Sequence, residues 1–233
     1  MQEIYKKYID NSFDGHYQAD FKFHQFELNY KKFFYKNVPL KVLDIGVGRG
    51  EMLSSMKNWG HNYHGIDISP STVEFCKKLD LSCELTDDTE LWLKKNQNQF
   101  EIITCLDVLE HIPKNRLIHF LEAIRNSLSK DGFAIFQVPN LQSPFGYLHH
   151  LNDITHISGF VVHSLNQVLL SAGFNKVLYY GFEELYGKTP KIILKKILRY
   201  FYRKIIRLLR TINANPNPQI LDPVFYAVAY QKI

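Results

Sequence analysis

Val42-Leu43-Asp44-Ile45-Gly46-Val47-Gly48-Arg49-Gly50-Glu51 runs from an apolar strand into three glycines at alternate positions. Such glycines permit a tight turn with positive φ and let backbone approach a ligand closely. A helix opening at Gly50 would aim its free N–H groups into the same space. The spacing is GxGxG, one residue short of the dinucleotide fingerprint GxGxxG. Asp44 precedes the loop, where a carboxylate would repel a pyrophosphate but could receive an ammonium group. A second strand then ends in Gly65-Ile66-Asp67-Ile68-Ser69. Asp67 stands where a carboxylate can accept hydrogen bonds from two ribose hydroxyls.

Outward from this unit, short apolar runs alternate with amphipathic stretches. Strands are expected at Leu40–Ile45, Tyr63–Ile66, Leu81–Leu85, Phe100–Leu106, Phe133–Val138, Lys176–Tyr180 and Pro223–Tyr230. Helices are expected at Gly50–Asn58, Ser71–Leu79, Glu90–Lys95, Lys114–Ser129 and Ser164–Ser171, with Asp131-Gly132 as the turn into strand five. The alternation predicts an α/β fold with a parallel sheet, whose ligands bind beyond the carboxyl ends of the strands.

The stretch Val42–Glu51 resembles the first motif of class I S-adenosylmethionine methyltransferases. Ile66-Asp67 resembles their ribose-binding position. Asp88, ahead of Leu91-Trp92-Leu93, resembles their adenine-facing acidic residue, with Asp87 as the alternative register. Leu106-Asp107-Val108-Leu109-Glu110-His111 resembles a segment that lines the methionine end of the cofactor and the substrate mouth. The resemblance covers about residues 35–180 and implies a Rossmann-like seven-stranded sheet, mostly parallel, with the last strand antiparallel beside strand six. Residues 1–37 would be a helical lid segment, 38–233 the catalytic domain, and 181–220 a helical insertion before the last strand. The implied cofactor is S-adenosylmethionine, held by Asp44, Gly46, Gly48, Gly50, Asp67, Ile68, Asp88, Leu106 and Asp107. Val47 and Glu101 depart from the commoner residues without altering the glycines or Asp67.

Beyond strand five lies a long segment, Val138-Pro139-Asn140 through Phe160, and long loops in compact domains usually carry function. It holds His149, His150, Asp153 and His156. Methyl transfer to oxygen gains from a base that takes the hydroxyl proton, and imidazole suits that task. His156 is the expected base and Asp153 its orienter, with His150 and His149 as second choices. His111 is a further candidate base, with Glu110 beside it holding the loop in place. A metal set of His149, Asp153 and His156 is the alternative, although no metal is assigned; a third reading has His156 merely capping the next helix. Asp153-Ile154-Thr155-His156, with Pro139-Asn140 before it and Ala172-Gly173 after, resembles methyltransferases associated with bacterial surface-polysaccharide and lipopolysaccharide assembly. The resemblance implies a sugar hydroxyl of a glycan, nucleotide-sugar or glycolipid precursor as acceptor. A quinone-lipid or other small-molecule acceptor, or an inactive cofactor-binding scaffold, remain as alternatives.

The net charge of +5 is local: residues 188–210 hold nine Lys or Arg and no acidic residue, leaving 19 basic against 23 acidic residues elsewhere. A uniformly basic nucleic-acid binder is thereby excluded. Thr189-Pro190 starts a helix. On it Lys195, Lys196, Arg199, Arg203, Arg207 and Arg210 gather on one side, opposite Leu194, Ile197, Leu198, Phe201, Ile205, Leu208 and Leu209. Such a helix either lies on an anionic membrane surface, basic residues to the headgroups, or packs on its own domain or on a second copy with its basic face in water. Three cysteines at no metal spacing, no apolar leader and no long apolar span lead to the expectation of a cytoplasmic chain, peripheral at the inner membrane if the helix is interfacial.

Overall fold

The computed structural model describes residues 19–231. Their seven strands form one sheet in the order β3-β2-β1-β4-β5-β7-β6. These are β1 (Lys41–Ile45), β2 (Asn62–Asp67), β3 (Cys83–Leu85), β4 (Phe100–Leu106), β5 (Leu128–Pro139), β6 (Lys176–Gly181) and β7 (Val224–Tyr230). β7 runs antiparallel to both β5 and β6, and the other pairings are parallel. The order reverses between β1 and β4, so the loops after these two strands diverge and open a crevice at their carboxyl ends.

Eight α-helices flank the sheet among the described residues: α1 (Ala19–Asn29), α2 (Glu51–Asn58), α3 (Pro70–Lys78), α4 (Thr89–Lys95), α5 (Lys114–Ser127), α6 (Gly146–Leu151), α7 (Val162–Ser171) and α8 (Pro190–Ile212). Strand residues alternate between two apolar layers. Leu43, Ile45, Ile103 and Cys105 face one, with Leu117, Leu121 and Phe174. Val42 and Ile102 face the other, with Tyr30, Leu53 and Tyr226. Burial of this kind contributes on the order of 25 cal/mol per Å² of apolar surface.

Several boundaries differ from the sequence expectation. The turn expected at Asp131-Gly132 is a bulge inside β5. Pairing passes from Phe100↔Leu128 to Ile102↔Phe133, and a Cβ on Gly132 would lie 2.9 Å from the Phe100 carbonyl oxygen. Leu81 falls outside β3, and α5 ends at Ser127. The segment after β5 contains α6, which its mixed pattern does not announce. Ser164 rather than His156 caps α7: its Oγ accepts from the Val161 N–H at 3.1 Å.

The larger difference is at α8. No residue of this helix is buried. Arg199 pairs with Glu183, and Arg203 with Asp222. The arginine side therefore faces the domain. Leu194, Ile197, Leu198, Phe201, Ile205, Leu208 and Leu209 are each about half exposed. Of the readings left open for this helix, burial of its apolar face on its own domain does not occur, and the receiving surface presents the carboxylates of Glu183 and Asp222. No helix among the described residues is long and apolar enough to cross a membrane.

Candidate active site

The crevice at the switch between β1 and β4 is a cavity of about 540 Å³. Its wall includes Asp44, Gly46, Gly48, Asp67, Ile68, Asp88, Leu106 and Asp107 from the sequence-derived set. Gly50 stands behind the wall as the N-cap of α2, at φ +76°; a Cβ there would meet Leu81 at 2.7 Å.

Each acidic group has a distinct environment. Asp44 shares a sheet face with Thr104, its register partner on β4. The Thr104 hydroxyl donates to Asp44 Oδ1 at 2.6 Å, yet burial pushes the carboxyl up to about 8. Asp67 Oδ1 accepts from the Ser69 N–H at 2.8 Å and Oδ2 from the Gly48 N–H at 3.3 Å. Burial still outweighs these bonds and moves its pKa to about 6. Asp88 spends Oδ1 on capping α4 through the Leu91 N–H at 3.0 Å. Asp87 lies on the same wall, so both registers bring an acid to the cavity.

Asp107 sits at φ +54°, an uncommon conformation for a residue with a side chain. Its N–H donates to the Gln137 carbonyl at 3.0 Å, and its Oδ2 accepts from Gln137 Nε2 at 2.7 Å. Gln137 Oε1 in turn accepts from the fully buried Tyr30 hydroxyl. Burial raises the Asp107 carboxyl, against the opposing influence of Lys22. Lys22 and Phe26 of α1 complete the wall on this side. Sequence reading missed Lys22, Phe26, Tyr30 and Gln137, because no local motif marks a helix that reaches the site through tertiary packing.

S-adenosylmethionine, the cofactor implied by the resemblance, fits these residues. A side chain at Gly48 would meet nothing within 4 Å, so the glycine leaves the cavity floor open. At Gly46 a Cβ would lie 2.4 Å from Val108 Cγ2, which shows how closely the two loops approach. Among the described residues no cation is paired with the buried Asp44, and the positive end of the cofactor would restore its charge.

The histidine cluster lies beside the cavity. His111 is on the wall. Its Nδ1 is 2.9 Å from Thr155 Oγ1, and that hydroxyl donates to Asp153 Oδ1 at 2.6 Å. Burial first, and neighbouring His156 second, lower the His111 pKa to about 4. His156 is absent from the wall and packs edge-on against His111, with ring centroids 4.6 Å apart. Its Nδ1 is 2.8 Å from the His150 carbonyl and its Nε2 is 3.9 Å from Glu110 Oε1. Burial pushes Asp153 up, but the Thr155 hydroxyl and N–H outweigh it and hold the carboxyl below its usual range. His150 stacks on His156 at 5.3 Å. His149, by contrast, is exposed.

Glu110 is the residue whose weight the sequence understated. It is 1% exposed, and among the described residues neither carboxylate oxygen has a hydrogen-bond partner. Burial drives its pKa well above the ordinary range. Its backbone carbonyl anchors the loop by accepting from the N–H groups of Ile157 and Ser158. Glu110, His111 and His156 place one ligand atom each within 4.8 Å of one another and could hold a metal ion. This is a different set from His149, Asp153 and His156, since Asp153 is engaged by Thr155 and His149 faces solvent.

Comparison with known proteins follows the same lines. Residues 17–179 match the family model described as a methyltransferase domain. The chain is similar to ubiquinone biosynthesis O-methyltransferases of Paraburkholderia xenovorans and Neisseria meningitidis. Identity is 30% over 104 residues with the first and 26% over 131 with the second. Those alignments cover 42% and 52% of this chain, and 44% and 52% of the relatives, so the chain spans about half the length of the curated relatives it matches. In fold it is similar to an S-adenosylmethionine-dependent methyltransferase from Archaeoglobus fulgidus (TM-score 0.69, 20% identity, 98% of each chain covered). It is also similar to a Burkholderia thailandensis 1,6-didemethyltoxoflavin N1-methyltransferase solved with S-adenosylhomocysteine (TM-score 0.60, 15% identity, 99% of this chain and 85% of the other).

Proposed function

Because this chain belongs to the methyltransferase-domain family of S-adenosylmethionine-dependent enzymes, we propose that it methylates a phenolic or enolic hydroxyl of a small, quinone-like molecule. What supports the choice of acceptor is the similarity to O-methyltransferases of ubiquinone biosynthesis, and the environment of His111 agrees with it. With its pKa lowered to about 4, this imidazole is neutral near pH 7 but a weak base. A phenol ionises at a pKa near about 10, whereas an aliphatic alcohol behaves more like water at about 15.7. A weak base on the wall serves the first far better than the second. The names of the relatives favour the same choice over the sugar hydroxyl suggested by the Asp153–His156 segment.

The bound cofactor supplies an electrophilic methyl group on a sulfonium. Asp67 would accept from its ribose, Asp87 or Asp88 would serve its base, and Asp44 and Asp107 would balance its charged end. Ile68 and Leu106 offer apolar contact. On the acceptor side, His111 receives the hydroxyl proton, with Thr155 and Asp153 fixing its ring. His156 packs edge-on behind it, with His150 stacked on His156. His156 was expected as the base, and its place behind the wall suits it to positioning His111. Glu110, His111 and His156 could alternatively hold a divalent cation, in which case His111 would be a ligand and not the proton acceptor.

The test is transfer of labelled methyl from S-adenosylmethionine to a soluble demethylated benzoquinol, a catechol and a panel of nucleotide sugars. Labelled quinol or catechol ether is the expected product. Turnover of a nucleotide sugar with neither aromatic compound labelled would overturn this acceptor class and restore the glycan reading.

A further inference from the structure

We propose that α8 docks the protein on an anionic lipid bilayer through its outward apolar face. At about 100° per residue, Leu194, Leu198, Phe201, Ile205, Leu208 and Ile212 fall on one stripe. Each is between 56% and 69% exposed. Six large apolar residues in a continuous stripe exceed the scattered exposure normal for a soluble surface. The same spacing puts Lys191 and Lys195 along one flank of the stripe and Lys204 along the other, all exposed. Long lysine stems can lie along apolar surface while their ammonium groups reach headgroup phosphates.

The helix is held in this attitude by its opposite side. Arg199 pairs with Glu183 and Arg203 with Asp222, both half-buried at the domain surface. The Thr189 hydroxyl caps its start through the Ile192 N–H. Phe145, at the start of α6, meets the Tyr202 ring with centroids 5.6 Å apart. Beyond it on α6 and its following turn, Tyr147, Leu148, Leu151 and Ile154 are also more than half exposed. The apolar surface therefore continues from α8 towards the segment that carries His150 and Asp153.

Charge selects the occupant. From Thr189 to Ile212 the helix has eight Lys or Arg and no Asp or Glu. A second copy docking face to face would bring two basic strips together with no acid on either helix to offset them. An anionic bilayer offers an apolar slab beneath a negative plane, which complements both parts of the face. This inference stands on α8 and its neighbours and does not depend on which acceptor is methylated.

The experiment is cosedimentation of the parent chain with vesicles of equal parts phosphatidylcholine and phosphatidylglycerol, beside vesicles of phosphatidylcholine alone. Binding to the anionic vesicles that falls as salt rises is expected. Changing Lys191, Lys195 and Lys204 together to Gln should weaken it on the order of a hundredfold, at about fivefold per lysine. Phe201→Gln with Leu198→Gln should abolish it. Both variants should keep the parent's circular dichroism and its thermal response to S-adenosylhomocysteine, since none of these side chains is buried. Absence of binding to anionic vesicles at low salt would overturn the proposal. So would equal binding to neutral vesicles, or a concentration-dependent dimer in solution that Phe201→Gln with Leu198→Gln converts to monomer.

Discussion

Asp67→Asn should make the cofactor-free protein more stable at alkaline pH while removing its response to cofactor. In the folded chain burial moves Asp67 from the ordinary 3.8 to about 6. A gap of that size is worth about 3 kcal/mol at about 1.4 kcal/mol per pH unit. The sign follows from proton counts. Between 3.8 and about 6 the folded state holds the proton that the unfolded state has released, so stability is full below the first value and falls as pH rises through the second. Above about pH 7 the native protein thus carries an ionised, desolvated carboxylate. An amide escapes that cost but sets an N–H group against the Gly48 N–H, returning about 1 kcal/mol or more. The expected net gain near pH 8 is about 1–2 kcal/mol, or roughly 2–8 °C in Tm for a domain of this size. It should shrink to nothing or reverse near pH 4. S-adenosylhomocysteine at about a hundred times its Kd should stabilise the parent by about 2.7 kcal/mol, and the variant by little. Thermal melts across pH, with and without the ligand, measure both. A variant less stable than the parent near pH 8, or one with an unchanged ligand shift, would refute the argument that Asp67 is held at a cost for the ribose.

Other substitutions probe the neighbouring contacts. Gly46→Ala puts a Cβ 2.4 Å from Val108 at φ +75°; it should cost about 2–4 kcal/mol in urea denaturation and weaken cofactor binding. Tyr30→Phe removes the donor to Gln137 deep in the core and should cost about 1–2 kcal/mol, with a raised KM if Gln137 then loosens Asp107. His111→Ala should lower kcat by about two to four orders of magnitude with the S-adenosylhomocysteine shift retained, and normal turnover would remove His111 from the proton path. Dialysis against EDTA should leave turnover unchanged; loss of activity restored by Mg²⁺ or Mn²⁺ would show that Glu110, His111 and His156 hold a cation and that His111 is a ligand and not the base.

The glycine-loop side of the cavity was legible because its signals are local. The strand–glycine loop–helix unit sits within ten residues, and its glycines adopt the positive φ that their spacing implied. Asp44 and Asp67 could be placed because a parallel sheet brings consecutive strand ends together. What the chain order could not reveal is which distant groups meet them. Thr104 reaches Asp44 only through the β1–β4 register. Tyr30 reaches Asp107 only because α1 folds back over the sheet and passes its hydrogen bond through Gln137.

The histidine segment shows the same division at closer quarters. Residue type alone ranked His156 above His111, since the segment holding it is long and rich in titratable groups. Packing reverses their positions: the short helical turn after Asp107 carries His111 onto the wall, and the loop folds behind it onto the Glu110 carbonyl. The α8 helix is a sharper case. Periodicity correctly separates its basic and apolar sides, and the usual rule then buries the apolar one. That rule assumes an apolar receiving surface. Here Glu183 and Asp222 await the helix, and two pairings with half-buried arginines orient it at the expense of apolar burial. A monomer in water gains nothing from leaving that stripe exposed. An anionic bilayer is the surface proposed to cover it, and the lysines on both flanks suit a negative plane.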